Sequence, residues 1–211
     1  DAILINPADS DAVGTAIDTA NQQDIPVITL DRGASSGEVV THIASDNVAG
    51  GKMAGDFIVE NLEENGKVVE LEGIPGTSAA RERGKGFNKA IDDSSLEVVA
   101  KQTANFDRRE GLTVMENILQ AQPEINAVFA HNDEMALGAM EAIKATDRDI
   151  LVVGFDAVSD AVTSVENGEM AATVAQQPKK IGSLGVESAD KVFNGESLDE
   201  YVPVDLKLIT K

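Results

Sequence analysis

Short apolar runs alternate along the whole chain with stretches whose apolar residues recur at helical spacing. Ala2-Ile3-Leu4-Ile5-Asn6-Pro7 reads as a buried strand stopped by Asn-Pro. Asp9-Ser10-Asp11 then caps an expected helix bearing Ala12, Val13, Ala16, Ile17 and Ala20. Strands are expected at 26–30 and 39–44, followed by a helix opened by Asp46-Asn47 and closed by Asn65-Gly66. The cycle continues with strands at 67–71, 96–102, 127–130, 150–154 and 171–175. The helices between and after them are expected near 78–91, 109–120, 133–145, 157–167 and 178–193, the last with Pro178 at a permitted first-turn position. A final segment, 202–209, is expected to be extended. Such βα alternation predicts an α/β protein of doubly wound parallel sheets with helices on both faces. No Pro/Gly/Ser linker or low-complexity tract divides the chain, so any boundary between lobes is a tight crossover.

In doubly wound sheets, ligands bind outside the carboxyl ends of the strands. The residues that follow the expected strands are Asn6-Pro7, Asp31-Arg32, Ser45-Asp46-Asn47, 73–83, Asn105-Phe106-Asp107, His131-Asn132-Asp133, Phe155-Asp156 and Gln176-Gln177. This set, rich in Asp, Asn, Arg and Gln with two Phe, suits a neutral polyol. Carboxylates accept from hydroxyls, Arg donates in a fork, amides do both, and an aromatic face covers the C–H side of a sugar ring.

Composition narrows the field. Seventeen Lys and Arg against 37 Asp and Glu leave a net charge of −20, which repels nucleic-acid phosphate and anionic membrane. A hydrophobic share of 42% fits a folded soluble chain, and no apolar run has the length of a membrane span. With no cysteine there is neither a disulfide framework nor thiol chemistry. Gly73-Ile74-Pro75-Gly76-Thr77-Ser78 stands where a phosphate loop would, but lacks the Walker lysine and the third glycine of a dinucleotide site, so a tight βα turn is the better reading. His42 and His131 belong to no cluster of ligand spacing, and no metal or cofactor is expected. His131 reads as a strand-end spacer before Asn132. Ser78 has no nucleophile-elbow context and reads as a helix cap. Arg81 and Arg83 lie two apart on a helix, so at most one of them points at a given ligand. Phe106 is either an anchor of its loop or a stacking platform, and Asp31-Arg32 either a salt-bridged turn or part of a site. The residues alone leave both pairs of alternatives open.

Several of these stretches resemble the periplasmic ribose-binding proteins of bacterial ABC sugar importers. They are residues 4–7 with 9–14, 27–32, 42–47 and 76–84, then 132–139, 152–156, 172–176 and 204–208. The similarity runs the length of the chain and implies the type I periplasmic binding protein fold, with two doubly wound parallel-sheet lobes. It implies an N-terminal lobe of 1–45 and 177–205, a C-terminal lobe of 46–176 and 206–211, and hinge crossovers near 45–46, 176–177 and 205–206. Carried over position by position, the ribose ligands fall on Asp31, Arg32, Arg83, Phe106, Asn132, Asp156 and Gln176. The choice between Arg81 and Arg83 thereby goes to Arg83, and Phe106 becomes the ring platform.

The resemblance also implies what lies outside the chain. Family members begin with a further strand–helix–strand–helix of roughly sixty residues, at about thirty per βα unit. Asp1 is not Met, and no leader precedes the first strand, so the N-terminal lobe is expected to be incomplete. The strand at Ala2–Asn6 would then keep an unpaired edge, a candidate for self-association. The resulting expectation is a non-catalytic D-ribose or pentose binding protein, periplasmic or secreted, that delivers sugar to an ABC permease in the membrane. The alternative is the sugar-sensing core of a lac-repressor-type transcription regulator. A sugar-acting enzyme on the same scaffold has no base–nucleophile pair or metal set in its favour.

Overall fold

β-branched and aliphatic runs too short for a helix become strands, and the amphipathic stretches between them become helices. A computed structural model describes residues 1–211. In chain order the elements are β1 (Ile3–Ile5), α1 (Gly14–Asn21), β2 (Val27–Leu30), β3 (Thr41–Ser45), α2 (Asn47–Asn61) and β4 (Lys67–Glu72). There follow α3 (Ser78–Asp92), β5 (Glu97–Thr103), α4 (Arg108–Ala121), β6 (Ala127–Ala130), α5 (Asp133–Lys144) and β7 (Leu151–Asp156). The chain ends with α6 (Ser159–Asn167), β8 (Ala172–Ala175), α7 (Pro178–Phe193), β9 (Tyr201–Val204) and β10 (Lys207–Thr210). No helix is long and apolar enough to cross a membrane.

The chain divides into two compact units. One comprises Asp1–Asp46, Gly76–Ala79 and Gln177–Leu206; the other comprises Asn47–Pro75, Ala80–Gln176 and Lys207–Lys211. The first unit holds a parallel sheet in the order β1-β2-β3-β9. Its core is split by the sheet, because successive strand residues face opposite sides. Val27 joins Ile17 and Ala20 of α1 on one face. Ile28 joins Ile43, Val204 and Ile181 of α7 on the other. β1 pairs with β2 alone, and Ile3 and Leu4 are 38% and 36% exposed. The strand expected to be buried is therefore an exposed edge.

The second unit holds a six-stranded sheet in the order β10-β8-β7-β6-β4-β5. Every pairing is parallel except that of β10 with β8. One face carries α4 and α5, packed around Met115, Ile118, Met135 and Met140 over Val69, Leu71, Val128 and Val152. In the same unit the Phe87 and Phe129 rings lie 4.8 Å apart, both fully buried.

Three local expectations need correction. The extended segment at 202–209 breaks at Asp205-Leu206 into two strands of different sheets. α1 starts at Gly14 because Asp9 Oδ1 accepts from the backbone N–H of Asp11 and Ala12, an Asx turn that holds 10–13 out of the helix. Ser78 does not cap α3: its N–H donates to Ser10 Oγ at 3.0 Å, and its hydroxyl accepts from Gly33 N–H at 2.9 Å. Ser10 N–H also donates to the Gly76 carbonyl at 3.1 Å. These bonds satisfy a donor that the start of a helix leaves open, and they draw the 76–79 turn into the first unit, where the sequence reading had it in the second.

Candidate functional site

Three of the seven candidate residues have left-handed backbones: Asp31 at φ 64°, Phe106 at 60° and Asp156 at 118°. Asn105 and Ala157 extend two of these into consecutive pairs, at 50° and 55°. Each such residue with a Cβ costs on the order of 1–3 kcal/mol and persists only where its surroundings hold it. Asp31 directly follows β2, Asp156 ends β7 and Phe106 lies three residues past β5, at the strand ends where such sheets place their ligands.

The second unit brings five of the seven together. Arg83, in the second turn of α3, is 4% exposed, whereas Arg81 is exposed. Arg83 Nε donates to Asn47 Oδ1 at 2.9 Å and Nη1 to the His131 carbonyl at 2.6 Å. Nη1 also lies 3.5 Å from Asp156 Oδ1, and the guanidinium stands 3.8 Å over the Phe155 ring and 5.9 Å from that of Phe106. Gln176 Nε2 donates to the same Asp156 oxygen at 2.6 Å. Asn132 caps α5, its Oδ1 accepting from Met135 N–H, while its Nδ2 donates to the Phe106 carbonyl at 3.2 Å. Each of its amide groups keeps one further valence for a ligand. The Phe106 ring lies against Gly73, where any Cβ would collide with it. Close packing of an aromatic ring is thus one reason for a glycine at position 73.

Behind this cluster lies a buried pair, Glu70 and His131, of which only His131 figures in the sequence reading, as a strand-end spacer. His131 and Glu70 are both 0% exposed, with Nε2 at 2.9 Å from Glu70 Oε1. Gly73 N–H donates to His131 Nδ1, so the ring is neutral with its proton on Nε2. Burial lowers the His131 pKa further than the Glu70 carboxylate raises it. Burial also pushes Glu70 up, but His131, Asn88 and Lys101 outweigh it and hold the carboxyl below its ordinary range. Asp133 is pushed up to about 7, chiefly by burial, against the pull of the Thr173 hydroxyl and the Val158 N–H.

Asp31 and Arg32 belong to the first unit and are half-buried. Asp31 Oδ2 accepts from Asn6 Nδ2 at 3.0 Å, and Arg32 Nη1 donates to the Ala8 carbonyl at 3.2 Å.

The sequence reading missed Asn47, Glu70, Gly73, His131 and Asp133 as parts of this arrangement. All but Glu70 stood in the strand-end segments, but nothing in their local spacing tells a ligand residue from one that holds it. Chemically, the second unit offers one carboxylate, one guanidinium, two amides and an aromatic face, which match the alternating donors, acceptors and C–H surface of a small polyol.

Comparison with known proteins follows this chemistry. A family profile described as a periplasmic binding protein domain matches residues 1–197. The ribose import binding protein RbsB of Haemophilus influenzae is 59% identical over 209 residues, 99% of this chain and 72% of that protein. That of Bacillus subtilis is 55% identical over 211 residues, 100% of this chain and 69% of that protein. Among solved structures, a Caulobacter myo-inositol binding protein bound to myo-inositol superposes with a TM-score of 0.93 at 35% identity, covering 100% of this chain and 74% of that one. An ABC transporter solute binding protein from Actinobacillus succinogenes with bound D-allose gives 0.92 at 33%, covering 100% of this chain and 78% of that one.

Proposed function

The chain belongs to the periplasmic binding protein family, and from that premise we propose that it binds D-ribose, or a closely related pentose, without catalysing its conversion. Its α/β architecture of parallel sheets and seven helices is the type I periplasmic binding protein fold. The observation that carries the reading is the Arg83–Asp156–Gln176 cluster, with Asn132 and Phe106 beside it. Arg83, Asn132, Asp156 and Gln176 serve the sugar hydroxyls, and Phe106 covers the C–H face of the ring. Asp31 and Arg32 of the first unit complete the set. Buried charges are tolerable in such a site because each is already paired or hydrogen-bonded before the ligand arrives.

The two units act as the two lobes, and the crossings at 46–47, 176–177 and 206–207 serve as hinges. A sugar that takes hydroxyl contacts from both lobes shifts the hinge population toward the conformer in which both sets reach it. A membrane permease of an ABC importer reads that conformer outside the cytoplasm. The ribose import relatives support this reading over the core of a transcription regulator, which the fold alone would also suit.

Calorimetric titration with D-ribose tests the reading, with D-glucose as the control; the chain has no Trp to report binding by fluorescence. Ribose-selective heat is expected. Equal heat from both sugars, or none from a chain whose circular dichroism shows it folded, overturns it.

A further inference from the structure

Asp156 and Ala157 form a pair of consecutive non-glycine residues with positive φ, where β7 hands over to α6. The direction of the Asp156 carboxylate follows from that backbone, and the backbone is of a kind that relaxes unless held. Two side chains in the same unit hold it. The Thr173 hydroxyl, on the neighbouring strand β8, accepts from Ala157 N–H at 3.2 Å and donates to Asp133 Oδ1 at 2.7 Å. The other oxygen of Asp133, at the first residue of α5, accepts from Val158 N–H at 2.8 Å.

Asp133 and Thr173 are both 0% exposed, and no cation pairs with Asp133. A carboxyl buried without a counter-charge is a costly way to fasten a turn, and the core around it could have been built of apolar side chains instead. The fold also makes room for it: a Cβ on Gly154 would collide with Asp133 Oδ1. Neither residue touches the Asp156 carboxylate through a hydrogen bond; both act on the two peptide units that follow it.

We propose that Asp133 and Thr173 are positioning residues that clamp the 156–158 turn and thereby aim Asp156 at the sugar. The role assigned to Asp156 rests on the ribose-binding reading above, but the clamp itself does not. Thr173→Val keeps the shape and deletes the hydroxyl, Thr173→Ser restores it, and Asp133→Ala, which removes the acceptor for Val158 N–H, tests the other end of the clamp should Thr173→Val fail to fold.

In the sugar-free protein, amide hydrogen exchange at Ala157 is expected to quicken about 10-fold in Thr173→Val, the loss of roughly one buried hydrogen bond, and to return toward the parent rate in Thr173→Ser. Unchanged protection of Ala157 in Thr173→Val and of Val158 in Asp133→Ala overturns the clamp, whatever ribose does. In titration, Thr173→Val is expected to lose about 10-fold in ribose affinity, and to lose nothing further when introduced into Asp156→Asn. Equal losses in both backgrounds would show that the hydroxyl supports the unit at large and does not aim Asp156. A parent chain that binds no ribose sinks the functional reading alone, since the exchange measurement still decides whether the clamp exists.

Discussion

The chain has two histidines, one in each unit, and their surroundings differ as the units do. His131 is sealed in the second unit with both ring nitrogens bonded, to Gly73 and to Glu70. His42, on β3 of the first unit, is half-buried, bonded through Nδ1 to Thr29 and stacked 5.6 Å from Tyr201. Burial lowers the pKa of both. The second unit therefore spends buried polar groups on fixing its candidate ligand residues, through bonds from His131 to Gly73 and Arg83. The first unit is a smaller sheet with a split core and an open edge, and its histidine packs against a neighbouring strand. Rigidity of the candidate site is concentrated on one side of the chain.

Truncating the two histidines is the sharpest way to break this contrast. His131→Ala takes a hydrogen bond from the buried Glu70 carboxylate, which keeps Asn88 and Lys101, and leaves a cavity where the ring was; it is expected to cost about 3 kcal/mol. His42→Ala removes one hydrogen bond and a half-buried stack, worth about 1 kcal/mol. Urea unfolding of both variants checks the difference. Equal losses would mean that the buried pair is no more than packing.

The two arginines extend the comparison to ligand affinity. Arg83→Lys gives up a planar fork that meets Asn47, the His131 carbonyl and Asp156 while stacked on Phe155. Ribose affinity is expected to fall about 50-fold, since two or more buried acceptors lose their donor. Arg32→Lys, at a half-buried position, is expected to cost about 10-fold or less. Calorimetric titration of the two variants ranks them, and the reverse order would place the main anchor in the first unit.

How far the sequence carried this picture depends on the range of the signal. β6 and α7 fall on the expected residues because their apolar patterns and flanks are local. The strand-end rule collected Arg83, Asn132, Asp156 and Gln176 from chemistry alone, without choosing between Arg83 and Arg81. Burial of Arg83 depends on Asn47 and Phe155, 36 and 72 positions away, which no window can see. The left-handed backbones of Asp31, Phe106 and Asp156 were equally invisible, since Phe and Asp carry no such preference strong enough to announce it. Helix starts slipped where a side chain captured the turn, as Asp9 does before α1.

Asp133 gives the second unit a pH dependence of a particular sign. Its carboxyl is held at about 7, above the ordinary 3.8, so between those values the folded chain keeps a proton that the unfolded chain has released. This group's contribution is therefore fully present below about pH 4 and is lost as pH rises through about 7. Asp133→Asn keeps the volume and an acceptor for Val158 N–H while removing the titration. Its stability relative to the parent is expected to improve steadily from pH 4 to pH 7, in thermal melts across that range. A constant difference between the two would show that Asp133 titrates normally.

The smallest effect belongs to the first unit and has the opposite sign to the rest. Thr41 on β3 is fully buried, and its hydroxyl has no hydrogen-bond partner. A buried hydroxyl in that condition carries its desolvation cost with nothing to offset it. Thr41→Val keeps the β-branched shape that suits a parallel strand and removes the oxygen. It is expected to stabilise the chain by about 1 kcal/mol, read as a higher urea midpoint at unchanged slope. The matching change at Thr173 in the second unit, where the hydroxyl both donates and accepts, is expected to destabilise. The same substitution on buried strands of the two sheets should thus move stability in opposite directions. If both variants lose stability, the contrast between a unit that fastens its buried polar groups and one that leaves a hydroxyl idle does not hold.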